Sequence, residues 1–248
     1  MQHTKGMHQA CYFAPMGRER IVVFSGAGVS AESGLRTFRD ADGLWEEYPI
    51  EEVATPQAWH RDPGKVLHFY DLRREQVIAA QPNAAHLAIA RLEEHFHVDV
   101  VTQNIDDLHE RAGSSRVLHL HGEILKARST IDAGLVLPVN GPSLPWGMLC
   151  PLGSQLRPHI VWFGEEVPLL SEAAALIRQA DHLIVVGTSL NVYPAAGLVH
   201  LLRSTAHLHV VDPGELSLPS RPLQHIKQKA SAGIPALAYQ LIGEISEP

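Results

Sequence analysis

The chain has 248 residues, 45% of them hydrophobic and 19% charged, with a formal net charge of −7. This is an ordinary globular composition, long enough for a substantial buried core; the negative balance gives no general electrostatic reason to expect nucleic-acid or acidic-membrane partners, and no apolar run approaches the roughly 18 residues of a membrane span. Two cysteines, Cys11 and Cys150, exclude a disulfide framework and fit a reducing, cytoplasmic setting.

Residues 1–18, MQHTKGMHQACYFAPMGR, lack the continuous apolar core of a signal peptide and read as a flexible leader to one domain over 19–245. RIVVFSG then reads as a strand buried on both faces, and it runs into GAGVSA. Gly26, Gly28 and Ala31 fit the G-x-G-x-x-G/A dinucleotide fingerprint, in which absent Cβ atoms admit a pyrophosphate to the N–H groups that open a helix. A tight strand-to-helix turn holding no ligand fits the same residues. The acidic residue usual at the end of the next strand is not evident, and GLRTFRDADGLW follows instead. There Arg39 is placed to help with phosphate and Phe38 to cover a cofactor's reactive end, or both belong to a solvated loop with one anchoring aromatic.

Residues 41–82 read as a turn region and then a helix starting near Asp62-Pro63, without an obvious strand. Helical steps of about 100° put Val66, Phe69, Tyr70 and Val77 on one face of it, with Arg73 in the middle. Such an arginine has an internal salt bridge, or a packed stem with its head in water. PNAAHLAIARLEEHF reads as a helix beginning at Asn83. VDVVTQNIDDLHERAG sets Gln103, Asn104 and Asp106 just past a buried strand, where ligands collect in parallel sheets; capping of the next helix also explains Asn104 and Asp106. In VLHLHGE, His119 and His121 share one side of a strand. No further histidine or cysteine cluster stands nearby in sequence, so no metal is expected. His119 reads as structural, while His121, beside Gly122, suits a general base.

Residues 124–157 read as loop, punctuated by glycines and prolines from Gly134 to Gly153. PHIVWFGE, HLIVVGTS and HLHVVD read as further strands, SEAAALIRQA as a helix capped by Ser171, and PAAGLVHLLRS as a helix opened by Pro194. Gly187, Thr188 and Ser189 suit cofactor hydroxyls or phosphate, or a plain cap for the Pro194 helix. The alternation gives an α/β fold: a Rossmann-like parallel sheet with helices on both faces, from about 20–40, 83–123 and 158–245. A smaller module, inserted from about 41–82 and 124–157, is expected to form one wall of a cleft.

Taken together, GAGVSAESGLRTFRDADGLW, TQNIDDLHERAG, HLHGE, PHIVWFGE and GTSLNVYPAAG, in this order, resemble the sirtuins, NAD-dependent protein lysine deacylases, over residues 20–240. The resemblance implies that Gly26, Ala27, Gly28, Ser30 and Ala31 hold the NAD pyrophosphate region, with Thr37, Phe38 and Arg39 over the nicotinamide ribose. It implies that Gln103, Asn104 and Asp106 serve the nicotinamide and ribose pocket. Gly187, Thr188, Ser189, Asp212 and Ala230 are implied as further cofactor contacts; at Asp212 the family usually carries asparagine. The catalytic residues implied are His121, as base on a ribose hydroxyl, and Asn104, with nicotinamide and O-acyl-ADP-ribose as products. Val161, Phe163 and Gly164 would pair with the substrate peptide as an added strand.

The segment around Tyr70 looks like the desuccinylase-type class, bacterial members included, in which a tyrosine and an arginine three residues later bind an acyl carboxylate; Tyr70 and Arg73 match, and Ala54 matches the small residue that widens the acyl pocket. Succinyl- or malonyl-lysine, alongside acetyl-lysine, is the implied substrate. Most sirtuins also carry four zinc-binding cysteines in the region matching 124–157. Only Cys150 remains here and Ser129 stands at what looks like the first ligand position, so no structural zinc is expected. Leu135, Val136, Leu137, Leu144 and Trp146 are the residues expected to hold that segment by packing. An ADP-ribosyltransferase using the same NAD site, and a non-catalytic NAD or acyl-lysine sensor, are the alternative functions; a dehydrogenase leaves TQNID and HLHGE unexplained. Acyl-lysine proteins are the expected partners of a monomer.

Overall fold

The computed structural model describes residues 17–35, 48–214 and 221–246. Most of the expected leader and Thr37, Phe38 and Arg39 lie outside them. The first strand, β1 (Arg20–Ser25), is followed by two 3-10 turns, Ala27–Val29 and Ala31–Ser33. Then come α1 (Ile50–Val53), α2 (Pro56–Arg61), α3 (Pro63–Ala79), α4 (Ala84–Leu92), β2 (His97–Thr102), α5 (Leu108–Arg111) and β3 (Val117–His119). β4 (Gly122–Ser129), β5 (Val136–Pro138) and β6 (Leu156–Ile160) lead to α6 (Leu170–Gln179), β7 (His182–Val186), β8 (His207–Val211), β9 (Gln224–Ile226) and α7 (Ala230–Ser246).

Six parallel strands form one sheet in the order β3-β2-β1-β7-β8-β9. Alternate residues of β1 face opposite ways, and both sides are dry. Val22 and Phe24 pack with α6 and the 195–201 turn, while Ile21 and Val23 pack with α4 and α7. Burial on both faces explains why these strands are continuous apolar runs. The α/β, Rossmann-like fold class is thus the observed one.

Three local expectations change. PHIVWFGE supplies β6, which pairs antiparallel with β4 in a separate sheet of order β5-β4-β6. The stretch read as loop over 124–157 therefore holds most of an antiparallel sheet: β4 alternates buried and more exposed residues, and prolines and glycines separate it from the shorter β5 and β6. Ser171 does not cap α6: the helix begins one residue earlier, behind Leu169, which makes no side-chain cap bond. The Pro194 segment is 3-10 over Ala195–Leu201 rather than α-helical. Other helix starts are as read. Asp62 accepts the Lys65 amide at 2.9 Å, and Asn83 accepts that of Ala85 at 2.9 Å.

A second core joins α1–α3 to the small sheet, with Val66, Phe69 and Tyr70 meeting Ile124, Ile160 and Trp162. Arg74, fully buried, fastens the Pro/Gly-rich loop to α3. Its Nε donates to the Ile124 carbonyl (2.8 Å), and its Nη1 donates to Asp71 (2.6 Å) and to the Pro142 carbonyl (2.9 Å). Leu144 is buried and Leu135 and Leu137 pack partly, but Trp146 is 63% exposed, resting against Trp59 at the surface. Ser129, Ser154 and Cys150 form a hydrogen-bonded group, with Oγ–Oγ at 2.8 Å and Oγ–Sγ at 3.2 Å. Bonds from Ser129 and then Ser154 lower the Cys150 thiol to about 7.

Candidate functional site

Strand order reverses about β1, whose neighbours are β2 and β7, and a cleft of about 600 Å³ opens where these strands end. Gly26, Ala27 and Gly28 meet Gly187, Thr188 and Ser189 on its floor. The glycines are required by backbone meeting backbone. A Cβ on Gly28 would lie 2.7 Å from Gly187 Cα, and one on Gly187, at φ +58°, would lie 2.3 Å from the Val29 nitrogen. The Gly28 N–H donates to the Gly187 carbonyl at 2.8 Å. The stretch continues as 3-10 turns over Ala27–Val29 and Ala31–Ser33, where the sequence reads as the start of a helix. Ala31 and Ala230 do not line this cleft; they line an adjoining cavity of about 340 Å³ that shares Gly28, Gly187 and Asp212 with it.

Along one wall, hydrogen-bond direction is forced. The Ser30 hydroxyl donates to Asp106 Oδ2 (3.1 Å) and accepts from Asn104 Nδ2 (3.1 Å), which fixes the orientation of the Asn104 amide. Asp106 also accepts the Leu108 amide; burial raises its pKa, and the bonds from Leu108 and Ser30 oppose the rise. Behind Ser30 lies His86, whose Nε2 is 3.4 Å from its oxygen, and His86 packs edge-on against His109. Burial lowers the His86 pKa to about 4 and that of His109 well below the ordinary value, so both are neutral.

His119 and His121 have opposite electrostatics. Burial alone would lower the His119 pKa, but the Glu110 carboxylate on its Nε2 (2.7 Å) more than offsets this and raises it; its Nδ1 donates to the Asn104 carbonyl (3.0 Å). Both ring nitrogens are engaged. His121 donates Nδ1–H to the Gln103 carbonyl (3.0 Å), which leaves Nε2 as the basic nitrogen. Burial lowers its pKa against the opposing pull of that carbonyl. Gly122, at φ +83°, permits the turn, since a Cβ there would sit 2.0 Å from the His159 carbonyl oxygen. Gln103 also donates Nε2–H to Thr188 Oγ1 (3.0 Å), tying the ends of β2 and β7 together.

Opposite these groups the same cleft is lined by Ala54, Tyr70 and Arg73 from α1–α3, and by Val161, Phe163 and Gly164 after β6. The N–H groups of Val161, Trp162 and Phe163 donate to His121 O, Glu165 Oε2 and Ala54 O. The Trp162 carbonyl in turn accepts the Glu165 N–H at 3.0 Å. Burial lowers the Arg73 pKa, and nearby Tyr70 and Asp106 raise it.

The Sir2 family profile matches residues 26–194. The chain belongs to the Sir2 family. An NAD-dependent protein deacylase of Helicobacter pylori (strain ATCC 700392 / 26695) is 56% identical over 195 residues, covering 79% of this chain and 85% of that protein. One of Bacteroides thetaiotaomicron is 46% identical over 230 residues, covering 90% and 98%. A solved Sir2 homologue–ADP ribose complex, a mutant, superposes with a TM-score of 0.85 at 39% identity, covering 93% of this chain and 95% of that one. A Sir2 homologue–NAD complex gives 0.83 at 40%, covering 92% and 91%.

Several residues in or behind the cleft wall carry no plain signal in the sequence. His86 and His109 looked like ordinary helix residues, and no local pattern shows that α4 and α5 bring them behind Ser30. Trp162 was passed over between Val161 and Phe163, although a buried indole N–H needs an acceptor. Its partner, Tyr70, lies 92 residues away.

Proposed function

We propose that the protein is an NAD-dependent protein lysine deacylase whose acyl groups include succinyl and malonyl as well as acetyl. Family membership and 46–56% identity to proteins named NAD-dependent protein deacylases support the reaction. The observation that carries the reading is one cleft shared by the glycine floor, a neutral His121 whose Nε2 makes no hydrogen bond among the described residues, and the Tyr70–Arg73 pair.

The floor fits a dinucleotide: no Cβ stands on Gly26, Gly28 or Gly187, and amide, hydroxyl and carboxylate groups border it. When bound, NAD supplies an electrophilic ribose carbon at which the acyl oxygen replaces nicotinamide. Asn104, held through Nδ2 by Ser30, turns Oδ1 toward an amide or ribose donor. His121 Nε2 removes a proton from a ribose hydroxyl, and its lowered pKa keeps it unprotonated at neutral pH. Ala31, Asp212 and Ala230, in the adjoining cavity, suit the adenosine end. Arg73 suits an acyl carboxylate because its guanidinium donates two parallel hydrogen bonds, with Tyr70 beside it.

No structural zinc is proposed for the small module. The donor set at the matching position is one thiol and two hydroxyls that already bond one another, which does not suit a closed tetrahedral thiolate site. No helix among the described residues is long and apolar enough to cross a membrane; a cytoplasmic setting is proposed on the cysteine usage.

Incubating the purified protein with NAD and paired acetyl- and succinyl-lysine peptides, and reading products by mass, tests the reaction. Loss of acyl groups with O-acyl-ADP-ribose appearing is expected. Intact peptides with an ADP-ribose adduct on protein would replace deacylation by ADP-ribosyl transfer.

A further inference from the structure

Tyr70 and Trp162 are each only 2% exposed, and the Trp162 indole Nε1–H lies 3.1 Å from the Tyr70 hydroxyl oxygen. An indole nitrogen only donates, so the phenol is the acceptor in this bond. Its own hydrogen must point elsewhere, and among the described residues the hydroxyl makes no other hydrogen bond. Burial raises the Tyr70 pKa, so the phenol keeps that hydrogen. Tyr70 lines the cleft.

The indole is held from several sides. The Arg157 guanidinium lies 3.5 Å from the ring centroid, and the Trp59 ring lies 5.8 Å away. Glu165 accepts the Trp162 backbone N–H at 2.8 Å and is paired with both Arg157 and Arg128. A ring pinned in this way gives the Tyr70 hydroxyl one acceptor direction and leaves one donor direction.

We propose that Trp162 is a positioning residue for acyl selection: it makes the Tyr70 hydroxyl a donor toward the acyl chain, so that the cleft favours chains ending in a hydrogen-bond acceptor, carboxylates first. A terminal methyl leaves this buried donor unsatisfied, whereas a carboxylate oxygen takes it up. The inference rests on the proposed deacylase reading and adds a specificity element that acts through Tyr70.

Kinetics of Trp162→Phe, Tyr70→Phe and the double variant on matched succinyl- and acetyl-lysine peptides test it. Trp162→Phe keeps an aromatic ring under Arg157 and removes the donor; the double variant separates this loss from the change in ring size. The succinyl-to-acetyl ratio of kcat/KM is expected to fall about tenfold, mainly through the succinyl KM. In the Tyr70→Phe background the second substitution should leave the ratio where Tyr70→Phe alone puts it. An unchanged ratio in Trp162→Phe, whether or not both rates drop together, overturns the proposal while the deacylase reading stands. A wild-type protein that removes acetyl but no succinyl overturns the acid preference itself.

Discussion

His119 and His121 stand two residues apart, yet one has both nitrogens engaged and a raised pKa, and the other has only Nδ1 bonded among the described residues and a lowered pKa. The difference comes from what each ring reaches: Glu110 and the Asn104 carbonyl for the first, the Gln103 carbonyl alone for the second. Replacing His121 by alanine is expected to lower kcat by about 10²–10⁴-fold while NAD still binds, as a titration by fluorescence or calorimetry would show. Because its pKa lies below the ordinary 6.5, the acid limb of kcat/KM should have its midpoint below pH 6.5, with activity lost as pH falls. A midpoint above 6.5 would assign the base elsewhere. At this scale helical periodicity set Tyr70 and Arg73 on one face, strand ends marked Asn104 and His121, and the resemblance joined them; all four line the cleft. Hydrogen bonds between distant segments, such as Trp162 to Tyr70 or Asn104 to Ser30, leave no local trace.

At the scale of elements, the glycine turn is held by its opposite number at the end of β7. Gly187→Ala places a side chain at φ +58° and a Cβ 2.3 Å from the Val29 nitrogen, so one loop must move off the other. A loss of about 2–4 kcal/mol in denaturant-induced unfolding is expected, together with weakened NAD binding. An unaltered midpoint would mean that the two loops do not depend on this contact. The parallel strands were legible because burial on both faces makes them continuous apolar runs. β4, β5 and the pairing of β6 were not: β4, eight residues long, alternates between faces, β5 has only three residues, and prolines and glycines interrupt the chain between β4 and β6. What fastens that segment, Arg74 with Asp71, was hidden as well, since a fully buried arginine breaks the usual rule for charge.

Across the whole molecule, one core lies on each face of the parallel sheet and another under the small sheet, and buried neutral histidines stand beside the cleft. His86 has a folded pKa of about 4 against 6.5 when unfolded, so between these values the unfolded chain binds more protons and stability falls as pH drops. The full contribution, on the order of 3 kcal/mol, is present above pH 6.5 and lost by about pH 4; His109 acts in the same direction. Thermal melts from pH 7.5 to 4.5 should show Tm falling through this window, and a flat profile would contradict neutral burial. Chelation should leave Tm unmoved, because the Ser129–Ser154–Cys150 group is held by its own hydrogen bonds. A fall of more than about 5 °C would show a metal contributing to the fold.

The central claim is that one cleft unites NAD chemistry with recognition of an acyl carboxylate. Its most direct test is the succinyl-to-acetyl ratio of kcat/KM in the wild type and in Arg73→Met, with NAD saturating. The wild type is expected to remove succinyl in an NAD-dependent way, and the ratio to fall at least about tenfold on losing the guanidinium. A ratio that Arg73→Met leaves unchanged would contradict it.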